Sequence, residues 1–369
     1  MNFLREKQYK NLLSQIRDPD YRSWILLNPA SIGDTTIVCA FAQAFVEQHG
    51  HAITMVIPHD HVAVAQLYPN RFLRVHTAER NLMMQIANNY LDPARFEIDV
   101  PICAHPYDLG DCRIDNLLYL YKYPGRGGIT QTDMFRHLLR LPWEAKLERP
   151  SVPAEWDIEA EKIAQKIGMP KGESVILFPA NSSEYPQFPD FFWETVVARL
   201  TQRGLKVFCN MRGGNFRPKT MPITGTTPIE VHIHQALPLV SYAGRTICSA
   251  SGIQFLLLLG GRFAQMTVPM PLTKNTYADH HQNGRHYHST AFMAQYMYPE
   301  LPCDMPFAEF SVPFDGTEAD LRELAIAIAD DVFDHPNCVQ RMGPTGRRYL
   351  EEQGDWLRKL VTPPRTNAG

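Results

Sequence analysis

The sequence lacks the features that mark several classes of protein. Its seven cysteines include no C-x-x-C pair, and their odd number does not suit a disulfide framework. The longest apolar runs, Ile37–Ala42 and Phe255–Leu259, are far too short to cross a bilayer. The N-terminus also lacks the apolar stretch of a signal peptide. We therefore expect a cytoplasmic protein with reduced thiols.

An excess of positive charge is missing too. The chain has 36 Lys and Arg against 39 Asp and Glu, a net charge of −3, so no broad nucleic-acid-binding surface is predicted. No G-x-G-x-x-G follows the first strand pattern, and G-x-x-x-x-G-K-[ST] is absent. Dinucleotide-binding and P-loop functions therefore have no support, and we expect no nucleic-acid partner.

The chain does contain strand and helix patterns that alternate along the sequence. Its 369 residues are more than usually fold around a single hydrophobic core, so two domains are expected. The alternation stops at 141–156, which carries three prolines, and then restarts. This pattern predicts an α/β protein with two Rossmann-like parallel-sheet domains facing a cleft. We expect an N-terminal domain over 1–150, a C-terminal domain over 151–315 and C-terminal helices over 316–369.

The individual elements follow from apolar periodicity. Strands are predicted at Trp24–Leu27, Ala52–Ile57, Phe96–Ile102, Ser174–Phe178, Lys206–Cys209, Ile229–Ile233, Thr246–Cys248 and Ala264–Val268. Helices are predicted at 1–22, 34–49, 62–67, 252–259 and 346–360. Another is predicted to be capped by Asp190 and ended by Gly204, and a further one follows the capping pattern at Thr317–Asp320 and runs to about Phe333. The pattern of the first helix favours packing on the domain surface, and peripheral contact with a membrane is the alternative, because Lys and Arg lie among its polar positions.

Polar residues follow the first strand of the first domain. The turn from Asn28 through Ser31 to Gly33 places Asp34 at a helix N-terminus, at the edge of a parallel sheet where ligands bind. Asp34 is a candidate general base for an acceptor hydroxyl. It is equally suited to cap the helix, because Asp is among the preferred capping residues.

Two junctions of the second domain carry small polar residues. Asn181, Ser182 and Ser183 follow one strand, and Ser249, Ser251 and Gly252 open an apolar helix. Such loops present hydroxyls and N–H groups to a phosphate, although ordinary turns and helix starts use the same residues. Arg212 and Lys274 lie in loops that can supply positive charge to a diphosphate, or are solvated surface charges.

At these junctions the chain resembles the heptosyltransferase family of GT-B glycosyltransferases (family 9), which acts in lipopolysaccharide synthesis. The S-x-G-D turn of that family is matched at Ser31–Asp34. Its P-G-A-S, W-P, G-G and D-S-G-x-x-H motifs are partly matched at Pro179–Ser183, Phe188-Pro189, Gly213-Gly214 and Ala250–Phe255. The chain departs at Ala250, where the family has an Asp that helps bind the donor sugar, and at Phe255, where the family has His. It also has Pro186 near the position of a basic residue that helps hold the phosphates.

The resemblance implies a GT-B enzyme that transfers a hexosyl or heptosyl group, with inversion, from a nucleotide-sugar donor. A glycan, lipid-linked or protein hydroxyl would accept it. Asp34 would act as the base, without metal or cofactor. Ser31, Gly33 and the polar residues of the two later junctions would bind substrate. The histidine pairs, His59 with His61 and His232 with His234, favour polar surface over a metal site. Two alternatives are a sugar-nucleotide epimerase on the same fold and a non-catalytic binding or scaffold protein.

Overall fold

The structure is a computed structural model that divides into two compact units. Unit 1 comprises residues 1–119 and 131–151, and unit 2 comprises 120–130 and 152–369. The residues described are 25–27, 31–83, 102–103, 139–180, 187–212, 222–249, 251–272, 305–313, 316–334 and 339–342, with positions 7, 11, 14, 132, 135 and 136.

The sheet of unit 1 has four parallel strands in the order β3-β2-β1-β4. They are β1 (Ile25–Leu27), β2 (Ile53–Ile57), β3 (Phe72–Thr77) and β4 (Ile102–Cys103). The chain runs outward from β1 to β3, and β4 pairs on the other side of β1. This order puts a topological switch point between β1 and β4, the position where ligands bind in open parallel sheets.

The helices described in unit 1 are α1 (Ile32–Ala40), α2 (Ala42–His49) and α3 (Val62–Gln66), with a 3-10 turn at His59–His61. Every residue of α1 after Ile32 is buried, whereas α2 is half-exposed and ends at Gly50 in the left-handed region. The predicted helix at 34–49 is therefore two helices, separated at Phe41.

Residues 141–151, predicted to be part of the linker, pack on unit 1. The Glu148 backbone N–H donates to Ala40 O at 2.8 Å, and the Ser151 N–H donates to Leu67 O at 2.8 Å. Arg71 forms a two-point hydrogen bond with the carboxylate of Glu148, at 2.9 Å from each oxygen. These contacts make the segment part of the unit.

The sheet of unit 2 has seven parallel strands in the order β11-β10-β9-β8-β5-β6-β7. The strands are β5 (Ser174–Phe178), β6 (Lys206–Asn210), β7 (Thr227–Ile229), β8 (Gly244–Cys248), β9 (Gln265–Leu272), β10 (Phe307–Pro313) and β11 (Val339–Met342). Its switch point lies between β5 and β8, because the chain moves outward from β5 to β7 and then returns to the other side of β5.

Five helices are described in unit 2: α4 (Ala154–Lys166), α5 (Asp190–Gln202), α6 (Ile233–Ala243), α7 (Gly252–Gly260) and α8 (Glu318–Asp334). The predicted apolar face of α5 is buried in the core, and α8 packs against the same helix. Asp330 of α8 accepts hydrogen bonds from Arg199 of α5 and from Arg203, the residue after that helix. None of the helices described is long and apolar enough to cross a membrane.

Two prolines change the pairing of β9 with β8. The Met266 N–H donates to Pro306 O on the β10 side of β9. Backbone groups of successive residues point to opposite sides of a strand, so the nitrogens of Pro269 and Pro271 lie on the β8 side. β8 pairs with β9 only as far as Thr267, whereas β10 pairs with it to Leu272. Because proline has no N–H to donate, pairing on the β8 side stops where the prolines begin.

The predicted α/β class with parallel sheets is confirmed, and β5 is confirmed to the residue. Asp190, predicted to cap α5, is instead its first helical residue, and Pro189 is the N-cap. The strand predicted at Ile229–Ile233 is wrong beyond Ile229, because His232 caps α6 and Ile233 begins that helix. β3, β10, β11, α4 and α6 were not predicted. The helices predicted at 346–360 and, except for positions 7, 11 and 14, at 1–22 lie outside the described residues, as do residues 96–101 of the third predicted strand.

Candidate functional site

Three loops of unit 1 meet where β1, β2 and β3 end. Asp34 follows β1, Asp60 and His61 follow β2, and Arg80 follows β3. Because these parallel strands are neighbours, their carboxyl ends lie along one edge of the sheet. Asp34, next to the switch point, therefore shares this edge with a histidine and an arginine from non-adjacent parts of the chain.

Asp34 is held by Ser31. The Ser31 hydroxyl donates to Asp34 Oδ2 at 2.7 Å, and the Ser31 backbone N–H donates to the same oxygen at 3.2 Å. Helix α1 begins at Ile32, so Ser31 is the N-cap, and Asp34 occupies the third helical position. The expectation that Asp34 itself caps the helix is therefore wrong. Gly33 lies between them in the first turn and is buried, and Asp34 is 8% exposed.

His61 links Asp34's helix to Arg80. His61 Nδ1 lies 2.8 Å from Thr35 Oγ1, and Arg80 Nη2 lies 3.2 Å from His61 Nε2. A guanidinium group only donates, so Nε2 must accept and Nδ1 must carry the proton. Nδ1–H then donates to Thr35, whose hydroxyl donates to Ser31 O at 3.2 Å. This network leaves His61 neutral.

The charges around His61 agree with that assignment. Burial is the main reason that the pKa of His61 is lowered to about 4, and Arg80 acts in the same direction, whereas Asp60 and Asp34 oppose the shift. Burial also lowers the pKa of Arg80, again opposed by Asp60 and Asp34. Within the described ranges, no group of three or more potential ligands for a metal ion is found, so His59 and His61 do not belong to such a cluster.

The switch point of unit 2 lies between the loops that follow β5 and β8. The Ser249 N–H donates to Phe178 O at 2.9 Å, and the Ser249 hydroxyl donates to Pro179 O at 2.8 Å. Ser249 is 1% exposed. Ser249 thus connects the start of the loop after β8 to the start of the loop after β5, and these are the two candidate phosphate-binding loops. Asn181, Ser182, Ser183, Ala250 and Lys274 lie outside the described residues.

Ser251 is the N-cap of α7, with extended backbone angles, and Gly252 is the first helical residue. The hydroxyl oxygen of Ser251 is buried and has no hydrogen-bond partner among the described residues. The free N–H groups of the first turn and the helix dipole favour an anion at this N-terminus.

Arg212 follows β6, and its side chain hydrogen bonds to His232 Nδ1 at the N-terminus of α6. Burial and the nearby Arg212 charge lower the pKa of His232. Asn210 Oδ1 accepts from the N–H groups of Arg212, at 3.2 Å, and Val231, at 3.0 Å. The strands that precede Arg212 and Ser251, β6 and β8, flank β5 and are therefore on the order of 10 Å apart.

Sequence reasoning did not identify Arg80 or Asp60 as members of the unit 1 site. Arg80 follows β3, a strand whose Leu73, Arg74 and Val75 are all exposed and whose pattern therefore has no buried face to recognise. His61 was considered only as half of a histidine pair. Its position beside Thr35 and Arg80 depends on contacts between strands.

No family model matches the chain, and no curated protein matches it. Among solved structures, the chain is similar to a family 9 glycosyl transferase from Veillonella parvula DSM 2008, with 14% identity over 68% of this chain and 81% of that one, at a TM-score of 0.46. It is also similar to the iron-containing dodecameric glycosyltransferase TibC from enterotoxigenic E. coli H10407, with 14% identity over 67% of this chain and 58% of that one, at a TM-score of 0.42.

A third similar structure is the E. coli ADP-heptose lipopolysaccharide heptosyltransferase II. Its identity is 11% over 92% of this chain and 100% of that one, and its TM-score is 0.47. The heptosyltransferase group, which the sequence motifs resemble, is thus also found among the similar solved structures.

Proposed function

We propose that this chain is a glycosyltransferase that moves a sugar from a nucleotide-sugar donor to an acceptor hydroxyl. The observation that carries the proposal is the position of the candidate loops. Asp34 follows the strand at the switch point of unit 1, and the loops after β5 and β8 flank the switch point of unit 2. Ligands of open parallel sheets bind at such points. The S-x-G-D turn at Ser31–Asp34 resembles the corresponding turn of heptosyltransferases.

Asp34 is the proposed general base. As the acceptor oxygen forms a bond to the anomeric carbon, the bond from that carbon to the diphosphate breaks, and the diphosphate leaves with the electron pair. The hydroxyl proton passes to the Asp34 carboxylate. A weak base is sufficient, because the proton becomes acidic only as the new bond forms. The attack opposite the leaving group inverts the anomeric carbon and uses no metal.

His61 is not a competing base in this proposal, although it lies on the same edge of the sheet. Its Nδ1 proton is donated to Thr35, and its Nε2 lone pair accepts from Arg80. Neither nitrogen is therefore available to take a proton from an acceptor. Ser31 holds Asp34 by two hydrogen bonds to one carboxylate oxygen, which orients the carboxylate for its proposed role.

Unit 2 is the proposed donor-binding unit. The N-terminus of α7, with Ser251 and Gly252, would stabilise the negative charge that develops on the leaving diphosphate. Ser249 would position the two loops, and Asn181, Ser182, Ser183, Arg212 and Lys274 would supply further donors and positive charge. We propose a bacterial surface glycan or a lipid-linked precursor as the acceptor class, following the resemblance to enzymes of lipopolysaccharide synthesis.

Product analysis with a panel of labelled nucleotide sugars tests the proposal. The purified chain is incubated with each donor and with a mixture of glycan and lipid-linked acceptors. We expect label to appear on an acceptor. Isomerised donor without transfer would indicate an epimerase instead. An unchanged donor across the panel, together with no nucleotide binding by calorimetry, would contradict the proposed function.

A further inference from the structure

Four of the helices described begin with a polar residue followed, three positions later, by Asp or Gln. In three of them, the later side chain accepts a hydrogen bond from the N–H of the first residue. The pairs are Ser31 with Asp34 at 3.2 Å, His232 with Gln235 at 3.1 Å and Thr317 with Asp320 at 3.2 Å. This arrangement is the capping box, which satisfies backbone donors at a helix start.

The fourth pair, Ser251 with Gln254 at the start of α7, has the same spacing but does not form the box. Gln254 is 0% exposed, and both its Oε1 and its Nε2 lack a hydrogen-bond partner in the part of the chain that the structure describes. The Ser251 hydroxyl is buried without a described partner as well. The Gln254 backbone N–H donates to Ser251 O at 3.1 Å, so the backbone start of the helix is formed.

A buried amide without partners is costly, and Gln254 adjoins a run of apolar side chains in the same helix. Phe255 through Leu259 are all apolar and buried. Helical side chains lean toward the N-terminus of their helix, so the amide of Gln254, in the first turn, is directed toward the end of α7 where Ser251 lies. That end adjoins the switch point between β5 and β8.

We infer that the Gln254 amide, together with the Ser251 hydroxyl, binds a sugar hydroxyl of the donor beside the diphosphate. The inference rests on the proposed function. A hydroxyl both donates and accepts, and it matches an amide, which does the same. A phosphate oxygen only accepts, so it satisfies Nε2 and leaves Oε1 unpaired. The hydroxyl belongs to one of two groups joined to the diphosphate, the ribose or the transferred sugar.

The test is Gln254→Met, which keeps the length of the side chain and removes the amide. Binding is measured by calorimetry with inorganic pyrophosphate, with ADP, UDP, GDP and TDP, and with the glucose conjugate of each nucleotide. We expect unchanged pyrophosphate affinity and a loss of about five- to tenfold for sugar-bearing ligands. A loss that first appears with the nucleoside diphosphate assigns the contact to ribose, and one that first appears with the glucose conjugate assigns it to the transferred sugar.

Thermal unfolding separates this role from a structural one. Replacing a buried unpaired amide by an apolar group of similar shape is neutral or stabilising, so the midpoint of Gln254→Met should be unchanged or raised. Gln235→Met is the matched control and should lower the midpoint. In that variant, the hydrogen bonds of Gln235 with His232 N and with Glu159 Oε1, at 2.9 Å, are lost.

The possible failures are distinguishable. If the unmodified chain binds none of the nucleotides, the proposed function is wrong and the inference falls with it. If the chain binds them and Gln254→Met changes no affinity, or weakens pyrophosphate equally, only the inference is overturned. A midpoint lowered as far as in Gln235→Met also overturns it. Gln254→Leu is the second variant, with the same expected outcomes.

Discussion

Arg80 donates a hydrogen bond to His61 Nε2 at 3.2 Å, and this contact fixes the proton on His61 Nδ1. The same imidazole hydrogen bonds to Thr35, one residue after Asp34. A side chain that follows β3 is thereby joined through His61 to the first turn of α1. Protonation of His61 would place a second donor opposite Arg80 and break the link.

We expect His61 to make folding stability depend on pH. The pKa of His61 falls from 6.5 to about 4 in the folded chain. Between these values, the unfolded chain takes up a proton that the folded chain does not, so stability is full above pH 6.5 and declines as the pH falls toward 4. The difference corresponds to about 3 kcal/mol. Urea unfolding at several pH values measures the slope.

His61→Gln is the control for this dependence, because it keeps one donor and one acceptor without a titratable group. We expect the variant to lose part of the slope between pH 4 and 6.5. The comparison with the unmodified chain removes the contributions of other groups, including His76 and His232, whose pKa values are also lowered. Equal slopes in the two proteins would show that His61 is not the group responsible.

Asp34→Asn should reduce sugar transfer by about 10²–10⁴-fold, the usual contribution of a general base. Folding should change little, because the Asn oxygen still accepts from Ser31. Donor affinity should also be nearly unchanged, since the proposed donor residues belong to unit 2. Initial rates, calorimetry and thermal unfolding check the three expectations.

Asp320→Asn is the matched control for Asp34→Asn. Asp320 forms the equivalent box with Thr317 at the start of α8, with oxygen–oxygen and nitrogen–oxygen distances of 2.8 Å and 3.2 Å. This variant should have a similarly small effect on stability and no effect on transfer. Near-normal transfer by Asp34→Asn would falsify the base assignment and leave Asp34 as a capping-box residue.

Ser251→Glu should abolish binding of nucleoside diphosphates. The substitution places a carboxylate where the N-terminus of α7 would hold a phosphate, and like charges then repel. Thr317→Glu, at the N-cap of α8, is the control, because it adds the same charge to a helix start that includes no candidate ligand residue. Calorimetry with ADP and UDP compares the variants. Unchanged binding in Ser251→Glu, with the fold intact by circular dichroism, would rule out this site.

Gly244→Ala should destabilise unit 2 by about 2 kcal/mol, because the left-handed backbone conformation of residue 244 and the contact of the new Cβ with Gly172 both cost free energy. Gly244 has a φ of 88°, and a Cβ there would meet the Gly172 Cα at 3.2 Å. Gly204→Ala is the control, because Gly204 has a φ of 85° and no atom within 4 Å of the place where a Cβ would lie. The control carries only the cost of the left-handed conformation, about 1 kcal/mol. Equal midpoints of thermal unfolding for the two variants would show that the approach of Gly172 does not matter.

The sequence predicted elements whose pattern is local and unambiguous. Val175–Phe178 is a continuous apolar run, and α5 buries the face that its 3.6-residue period predicts. α6 was missed for two local reasons. Ile229, Val231 and Ile233 alternate with polar residues as in a strand, and Pro238 lies inside the helix, where it is normally disfavoured.

The candidate site was only partly predictable. Asp34 and Ser251 follow recognisable strands, and their positions required no knowledge of the sheet order. The link from Thr35 through His61 to Arg80 joins residues of three strand ends, and only the order β3-β2-β1 brings them together. The unpaired amide of Gln254 was also invisible, because the sequence S-x-x-Q predicts a closed capping box.

Because of its prolines, β9 differs along its length in the free energy needed to open it locally. As far as Thr267, β9 is bonded on both sides, and beyond it only the β10 side is paired. A strand held on one side opens at a lower free energy than one held on both. We therefore expect the amino-terminal part of β9 to open less readily than its carboxyl-terminal part. Fluctuations should concentrate at the carboxyl edge of β9, beside the strand that leads into Ser249 and Ser251.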